Sequence, residues 1–525
     1  MMIVLVSICT LLVAIWLYFR QLYSTFEKSD VKNEKTVPLF GNMIGTLLGK
    51  EHMATQIENL YKAFPGERFV GRYEFLSDMV IVRDPELAKR IMIKDFDHFV
   101  DHRTMFEGGD SLFSRTLITL KGQEWKDMRS AMSPAFTSSK IRLMVPLMVE
   151  VGGQLIASVK NSIEASIDGY VDLECKDLTS RYSNDVIASC AFGLKVDSLK
   201  ERNNEFYAMG KTTTDIDLTK MMKIFFLVGA PKFANFMPAS SRDFFKKLVL
   251  DTMKNRELKH IMRPDMIHLL MELQRGQLKH DSKPDDKTTG FATAVESSID
   301  TKVAHKVWSE TDLVAQAIIF FVAGFDTVST AAMFLLYEAA VNPDIQEKLV
   351  QEINEHSRKS GGKFDFTSIQ EMQYLDMVVS EVLRKWPPGI SLDRQCAKDY
   401  NMGKPNEHAT KDFIIRKGKG LNIPVYAFHR DPKYFPEPEK FVPERFSEDN
   451  KHKINTSAYV PFGSGPRNCI GSRFALCELK VMVYQILQHF ELSPCEKTCI
   501  PPELANDGFN LQLKGGHWLR FRVRR

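Results

Sequence analysis

Residues 309–341 constrain the fold most, because they must form one long helix with almost no polar face. Ser309, followed three residues later by Asp312, marks an N-cap, and Asn342-Pro343 ends the run. Between Val314 and Leu336 apolar residues occupy most faces. Such a helix is stable only when it is covered on nearly all sides, so the rest of the chain has to wrap it. Gly324 and Asp326 interrupt the run too much for a simple membrane span. The chain is long enough to supply the cover, with 525 residues of which 44% are hydrophobic and 26% charged, a globular balance. Its 70 basic and 66 acidic side chains nearly cancel, which gives no case for a nucleic-acid partner.

A second apolar run, residues 2–19, carries no charge. As a helix it would span about 27 Å, against a hydrocarbon core of about 30 Å. No Lys or Arg precedes it, and bulky Tyr18, Phe19, Leu22 and Tyr23 stand where a cleaved leader would carry small residues. An uncleaved anchor is therefore favoured. Arg20, Lys28, Lys32 and Lys35 follow the run, and positive flanks stay cytoplasmic, so the bulk of the chain is expected on the cytosolic side. Eight scattered cysteines without a CxxC pair suit free thiols in a reducing compartment. Residues 1–20 are read as a transmembrane signal anchor, 21–37 as a linker and 38–525 as one catalytic domain, starting at the turn marked by Pro38 and Gly41.

Within 38–525, alternation over residues 68–83 predicts a hairpin. The pattern is then mainly helical to about residue 390. Residues 276–305 are polar and read as an exposed loop. Beyond 400 the chain is rich in Pro and turns, until a last helix from about Arg473 to His489. Residues 221–237, with Phe225, Phe226, Leu227, Phe233 and Phe236, form a further apolar surface, either core or a loop dipping into a bilayer.

Four segments carry chemistry. In Phe462-Gly463-Ser464-Gly465-Pro466-Arg467-Asn468-Cys469-Ile470-Gly471, one cysteine precedes a helix start. Backbone N–H donors and the positive end of the helix dipole both favour its thiolate. Gly465 and Gly471 would let backbone approach the sulfur. Read alone, a buried cysteine in a tight turn explains the segment as well. Glu381 and Arg384 share a helix face among Val378, Val379, Val382 and Leu383, which implies a buried ion pair. Gly324, Asp326 and Thr327 are out of place in an apolar helix, unless Thr327 bonds back to its own helix carbonyl. Trp125 and Arg129, four residues apart, lie on one face.

In their order along the chain these segments resemble the cytochrome P-450 superfamily. Its haem-binding signature, F-x-x-G-x-R-x-C-x-G, is met by Phe462, Gly465, Arg467, Cys469 and Gly471. The resemblance covers about residues 38–525. Trp386-Pro387-Pro388 and Phe428-His429-Arg430-Asp431-Pro432 look like the microsomal, xenobiotic-metabolising branch, particularly its insect members. It implies a mainly α fold with a smaller β region, the long helix lying over haem b. Cys469 would be the axial thiolate, which promotes O–O cleavage. Phe462 and Arg467 would bind the cofactor, with Trp125, Arg129 and Arg394 as propionate partners. Asp326 and Thr327 would relay protons to dioxygen, and Val328 stands where many relatives carry a second hydroxyl. Glu381, Arg384 and, from Pro443-Glu444-Arg445-Phe446, Arg445 would form a structural network.

The same resemblance puts Phe106, Phe113, Ile118, Val322, Ala323, Ile390 and Phe509 around the substrate, a mainly apolar set that suits lipophilic molecules. The chain has no G-x-G-x-x-G fingerprint for a nicotinamide or flavin. Electrons would come from NADPH through a separate flavoprotein reductase, with a cytochrome b-type donor as a second source and Lys126 among the docking cations. The implied activity is monooxygenation of lipophilic xenobiotics such as plant toxins or insecticides, at the endoplasmic reticulum membrane and facing the cytosol. An endogenous steroid or fatty acid is the alternative substrate. A haem-thiolate isomerase and a non-catalytic haem sensor are the alternative classes, and the intact Asp326-Thr327 pair argues against both.

Overall fold

The structure, a computed structural model, describes residues 2–103, 112–214, 237–276, 290–293, 308–506 and 510–524. The long helix runs over Glu310–Val341. Its start is a reciprocal cap: Ser309 N donates to Asp312 Oδ2 at 3.0 Å and Asp312 N donates to Ser309 Oγ at 3.2 Å. Arg115 adds an ion pair to Asp312 at 2.7 Å. As its composition demands, the helix is covered on most sides. Helix Cys175–Ile187 packs along it, and Glu205–Thr214, Ala239–Lys259, Gln373–Lys385 and Ser472–His489 close around it. Aromatic rings fill one of these seams, with Phe321 4.7 Å from Phe245 and 5.3 Å from Phe206. Gly210 makes room there, since a Cβ at that position would collide with the Phe321 ring.

The expected hairpin pairs Phe69–Glu74 with Ser77–Val82, antiparallel. Two distant strands extend it: Gly420–Ile423 runs parallel to Ser77–Val82, and Leu392–Gln395 runs antiparallel to Gly420–Ile423. This four-stranded sheet brings the segment around Leu392 to the cavity described below. A three-stranded antiparallel sheet has Trp518–Val523 between Tyr170–Glu174 and Phe490–Pro494. The architecture is thus mainly α with a smaller β region.

Among the described residues, three helices are long and apolar enough to cross a membrane, but they differ in cover. The apolar windows of Ser138–Glu164 and Glu310–Val341 are 44% and 67% buried, whereas that of the N-terminal helix is 0% buried. Helix Met2–Leu22 therefore fits a membrane anchor and the other two are core. The segment read as a linker is docked, not loose. Tyr23, Phe26 and Val31 are buried, Tyr23 packs edge-on to Tyr73 at 4.9 Å, and Gly71 leaves space for the Phe26 ring. The apolar stretch 221–237 lies outside the described residues except for Met237, which is buried. Most of the polar stretch 276–305 lies outside them too. All eight cysteines are free thiols.

Candidate active site

Cys469 closes a tight loop ahead of helix Ser472–His489. Cys469 N donates to Phe462 O at 2.9 Å and Asn468 N to Gly465 O at 3.0 Å. Gly465 has φ +73°, and a Cβ there would strike the Met92 carbonyl. Its lack of a side chain therefore serves the loop's contact with Met92, not an approach to the sulfur. Gly471 differs: its φ is negative, and a Cβ there would lie 3.8 Å from its nearest neighbour, in ordinary contact. Its N–H faces the Cys469 thiol. Burial pushes that thiol up, while the Gly471 N–H and Arg129 pull it down. Desolvation thus outweighs both, although the sulfur is open to the cavity, and a metal cation held there would favour the thiolate.

The thiol opens into a cavity of about 380 Å³. Phe462, Ile118 and Ala323 are in its wall, and Thr327 is on the face of the long helix that lines it. Ala323 and Thr327 are exposed in the middle of an otherwise covered helix, and that exposure belongs to the cavity. Thr327 Oγ1 donates to Ala323 O at 2.6 Å. Gly324 also lines the cavity, and a Cβ there would come within 2.6 Å of Ile187 Cδ1. Its smallness lets the neighbouring helix close in.

Asp326 is turned elsewhere. It is not in the cavity wall; Lys176 Nζ lies 2.8 Å from its Oδ1 and also reaches Ser329 Oγ at 2.9 Å and Thr330 Oγ1 at 3.2 Å. Consecutive helical residues point about 100° apart, so one residue can face the cavity and the other the adjacent helix. The expected acid–alcohol pair is divided between two environments.

One edge of the cavity is cationic. Arg467 stacks on Trp125 at 4.0 Å and donates to Val100 O at 2.7 Å and Leu120 O at 2.8 Å. Arg129 donates to Asn468 O at 2.9 Å and Asn468 Oδ1 at 2.7 Å. Burial, and then Arg394, lower the Arg467 pKa to about 9 against the pull of Asp101 and Asp393. Arg394 itself does not line the cavity: it is buried, gives Nη1 to Asp393 O at 2.7 Å, and its Nε has no partner among the described residues. The sequence pattern gave no sign of His102, which does line the cavity, or of Asn468, which ties Arg129 to the cysteine loop.

Glu381 and Arg384 form a fully buried bidentate pair at 2.8 Å, with Arg445 Nε 3.4 Å from Glu381 Oε1. Of the expected substrate contacts, Phe113, Val322 and Ile390 are not in the cavity wall: Phe113 is buried, Ile390 belongs to the core, and Val322 packs against that core partly buried. The Phe113 carbonyl is tied to the Thr116 and Thr119 hydroxyls at 2.8 and 2.7 Å, and Ile390 O accepts from Tyr426 N at 2.9 Å. Phe106 and Phe509 lie outside the described residues.

A thiol on one wall, apolar surface across from it and guanidinium groups along one edge match a flat apolar macrocycle that carries a metal and two carboxylates. Surplus buried positive charge with an orphaned Arg394 Nε is what such carboxylates would balance. Fold and site together define a haem-thiolate enzyme. Residues 31–520 match the family model Cytochrome P450, and the chain belongs to that family. It is 43% identical to "Cytochrome P450 9e2" of Blattella germanica, over 94% of this chain and 93% of that protein. It is 41% identical to "Probable cytochrome P450 9f2" of Drosophila melanogaster, over 94% of each. With "Cytochrome P450 6k1" of Blattella germanica it shares 36% identity over 98% of this chain and 96% of that one. The chain is a monooxygenase whose cofactor is haem b with thiolate ligation.

Proposed function

We propose that this monooxygenase oxidises lipophilic xenobiotics and that Cys469 would supply the thiolate that holds the haem iron. The observation that carries this is the apolar cavity between the Cys469 thiol and the Thr327 face of the long helix. Trp125, Arg129 and Arg467 would hold the haem carboxylates from the cationic edge. When bound, haem supplies dioxygen activation, one oxygen atom entering the substrate and the other leaving as water. The Thr327 hydroxyl is a polar group on the cavity face of the long helix and would hold and pass a proton there. Asp326 would act behind it, with its charge held by Lys176. Electrons would come from NADPH through a flavoprotein reductase, with a cytochrome b-type protein as a second donor. Residues 1–20 would anchor the chain in the endoplasmic reticulum membrane, and 38–525 would form the catalytic domain facing the cytosol. The insect relatives and the apolar wall support toxins or insecticides as substrates.

The test has two parts. The reduced, carbon monoxide-bound protein should show the red-shifted Soret band of a thiolate-ligated haem, and Cys469→Ala should abolish it. The holoenzyme, reductase and NADPH should then convert lipophilic toxins to products carrying one added oxygen. A Soret band that survives Cys469→Ala would refute the ligand assignment. Turnover that proceeds without reductase would refute the reaction class.

A further inference from the structure

We propose that His102, oriented by Asp393, is a proton-linked anchor for one haem carboxylate: it clamps that carboxylate as the imidazolium and releases it as the neutral ring. The proposal rests on the haem reading of the cavity. His102 lies in the cavity wall, on a segment fastened to strand Leu392–Gln395 by Gln395 N donating to Asp101 O at 2.8 Å. Its Nδ1 is 3.0 Å from Asp393 Oδ1, and the Arg103 N–H donates to Asp393 Oδ2 at 2.6 Å. Both carboxylate oxygens are thus engaged, and the dyad has a fixed orientation.

The chemistry follows from which atom holds the proton. Burial pushes Asp393 up, but His102, Arg394 and the Arg103 N–H bring it below its ordinary value, and Arg394 and the Arg103 N–H act whatever the state of the ring, so it is ionised at working pH. An ionised carboxylate only accepts, and the His102 proton therefore sits on Nδ1. Nε2 has no partner among the described residues. In the neutral ring it would offer a lone pair, which cannot bind a carboxylate. Only the imidazolium has a second N–H to donate. It would bridge Asp393 on one side and a haem carboxylate on the other.

The surrounding charges set when that happens. Asp393 favours the imidazolium; Arg394 and Arg467 oppose it, and Asp101 faces Arg467 at 3.5 Å. Arg103 is partly neutralised by Glu74 at 2.8 Å, and Arg129 is engaged with Asn468. Without a ligand, burial holds His102 below its ordinary value. A carboxylate brought against Nε2 adds a second anion and raises it, so binding takes up one proton from solvent. The clamp is complete at low pH and is lost as pH rises through the raised value.

Haem transfer from the holoenzyme to excess apomyoglobin tests this between about pH 5.5 and 8.5. Transfer from the wild type should accelerate with pH through a single ionisation. His102→Ala should be fast throughout, about tenfold above the wild type at the acid end. His102→Arg, a permanent cation, should be slow throughout. Asp393→Asn should move the ionisation to lower pH. Parallel pH profiles for the wild type and His102→Ala would overturn the proposal, as would a pH step that persists in His102→Arg, which serves should the alanine variant not fold. A thiolate Soret band in the reduced carbon monoxide complex of each variant shows that the haem reading stands; its absence from the wild type would sink both.

Discussion

Removing Glu381 should cost the fold about 3–5 kcal/mol, the range for breaking a buried ion pair from one side. The geometry explains why the cost falls at the high end for this residue and not for Arg445. Glu381 and Arg384 are both 0% exposed. Oε1 of Glu381 accepts from Arg384 Nη2 at 2.8 Å, Val442 N at 2.9 Å and Arg445 Nε at 3.4 Å, and Oε2 accepts from Arg384 Nε at 2.8 Å. Glu381→Ala leaves the Arg384 guanidinium buried with only the His429 and Lys440 carbonyls, at 3.0 and 3.2 Å, and strands the Val442 N–H. Arg445→Ala removes only the longest of these contacts, and Arg445 is 14% exposed. Its cost should be about 1 kcal/mol. The double variant Glu381→Ala/Arg384→Met removes the stranded charge and should recover a good part of the loss. Urea midpoints of the holoenzyme, followed by the Soret band and far-ultraviolet circular dichroism, measure all three. If Glu381→Ala costs no more than Arg445→Ala, or the double variant is less stable than Glu381→Ala, the reasoning from buried charge is wrong.

Three further outcomes are expected. Gly465→Ala combines a left-handed φ of +73° with a collision at the Met92 carbonyl, so it should lose at least about 1–2 kcal/mol and much of its haem content, while Gly471→Ala is tolerated; Soret absorbance per protein distinguishes them. Thr327→Ala should keep the thiolate Soret band but lower product formed per NADPH by about tenfold or more, measured against peroxide released. Glu478 is fully buried on helix Ser472–His489, and desolvation raises its pKa from 4.5 to about 8. Its protonated form is the folded one, so wild-type stability should be greatest below about pH 4.5 as far as this group is concerned and be lost towards pH 8, and Glu478→Gln should flatten that decline in urea titrations.

The sequence disclosed the parts of this fold that depend on local pattern. Helix Glu310–Val341 was legible because apolar residues on all faces allow only a buried helix, and because Ser309 and Asp312 can cap one. The hairpin was legible from alternation, and the cysteine loop from five residues at fixed spacing. What lay hidden were contacts between residues far apart in the chain. His102 meets Asp393 across 291 positions, and Lys176 meets Asp326 across 150, so neither pairing leaves a mark on local composition. The apolar wall was hidden for a different reason. Phe113, Val322 and Ile390 have the same chemistry whether they face a substrate or the core, and only the packing tells which.

Asp326 and Thr327 show where motif reading stops and geometry begins. Adjacent in sequence, they look like one functional unit, but the helical turn between them sends one to Lys176 and the other to the cavity. The division has an energetic logic. A bare carboxylate facing an apolar cavity would be desolvated without a partner, at a cost of several kcal/mol. Paired with Lys176, whose ammonium also reaches the Ser329 and Thr330 hydroxyls, the same carboxylate sits close to the cavity without lining it. Thr327, neutral and already bonded to Ala323 O, can line an apolar wall at little cost. The long helix thus brings a polar group to the apolar cavity while holding a lysine-paired carboxyl group one residue away. If that is why the pair is divided, Lys176→Met should perturb Asp326 without changing the apolar face, lowering NADPH coupling while substrate affinity stays the same; a variant that weakened binding of lipophilic ligands and left coupling untouched would contradict it.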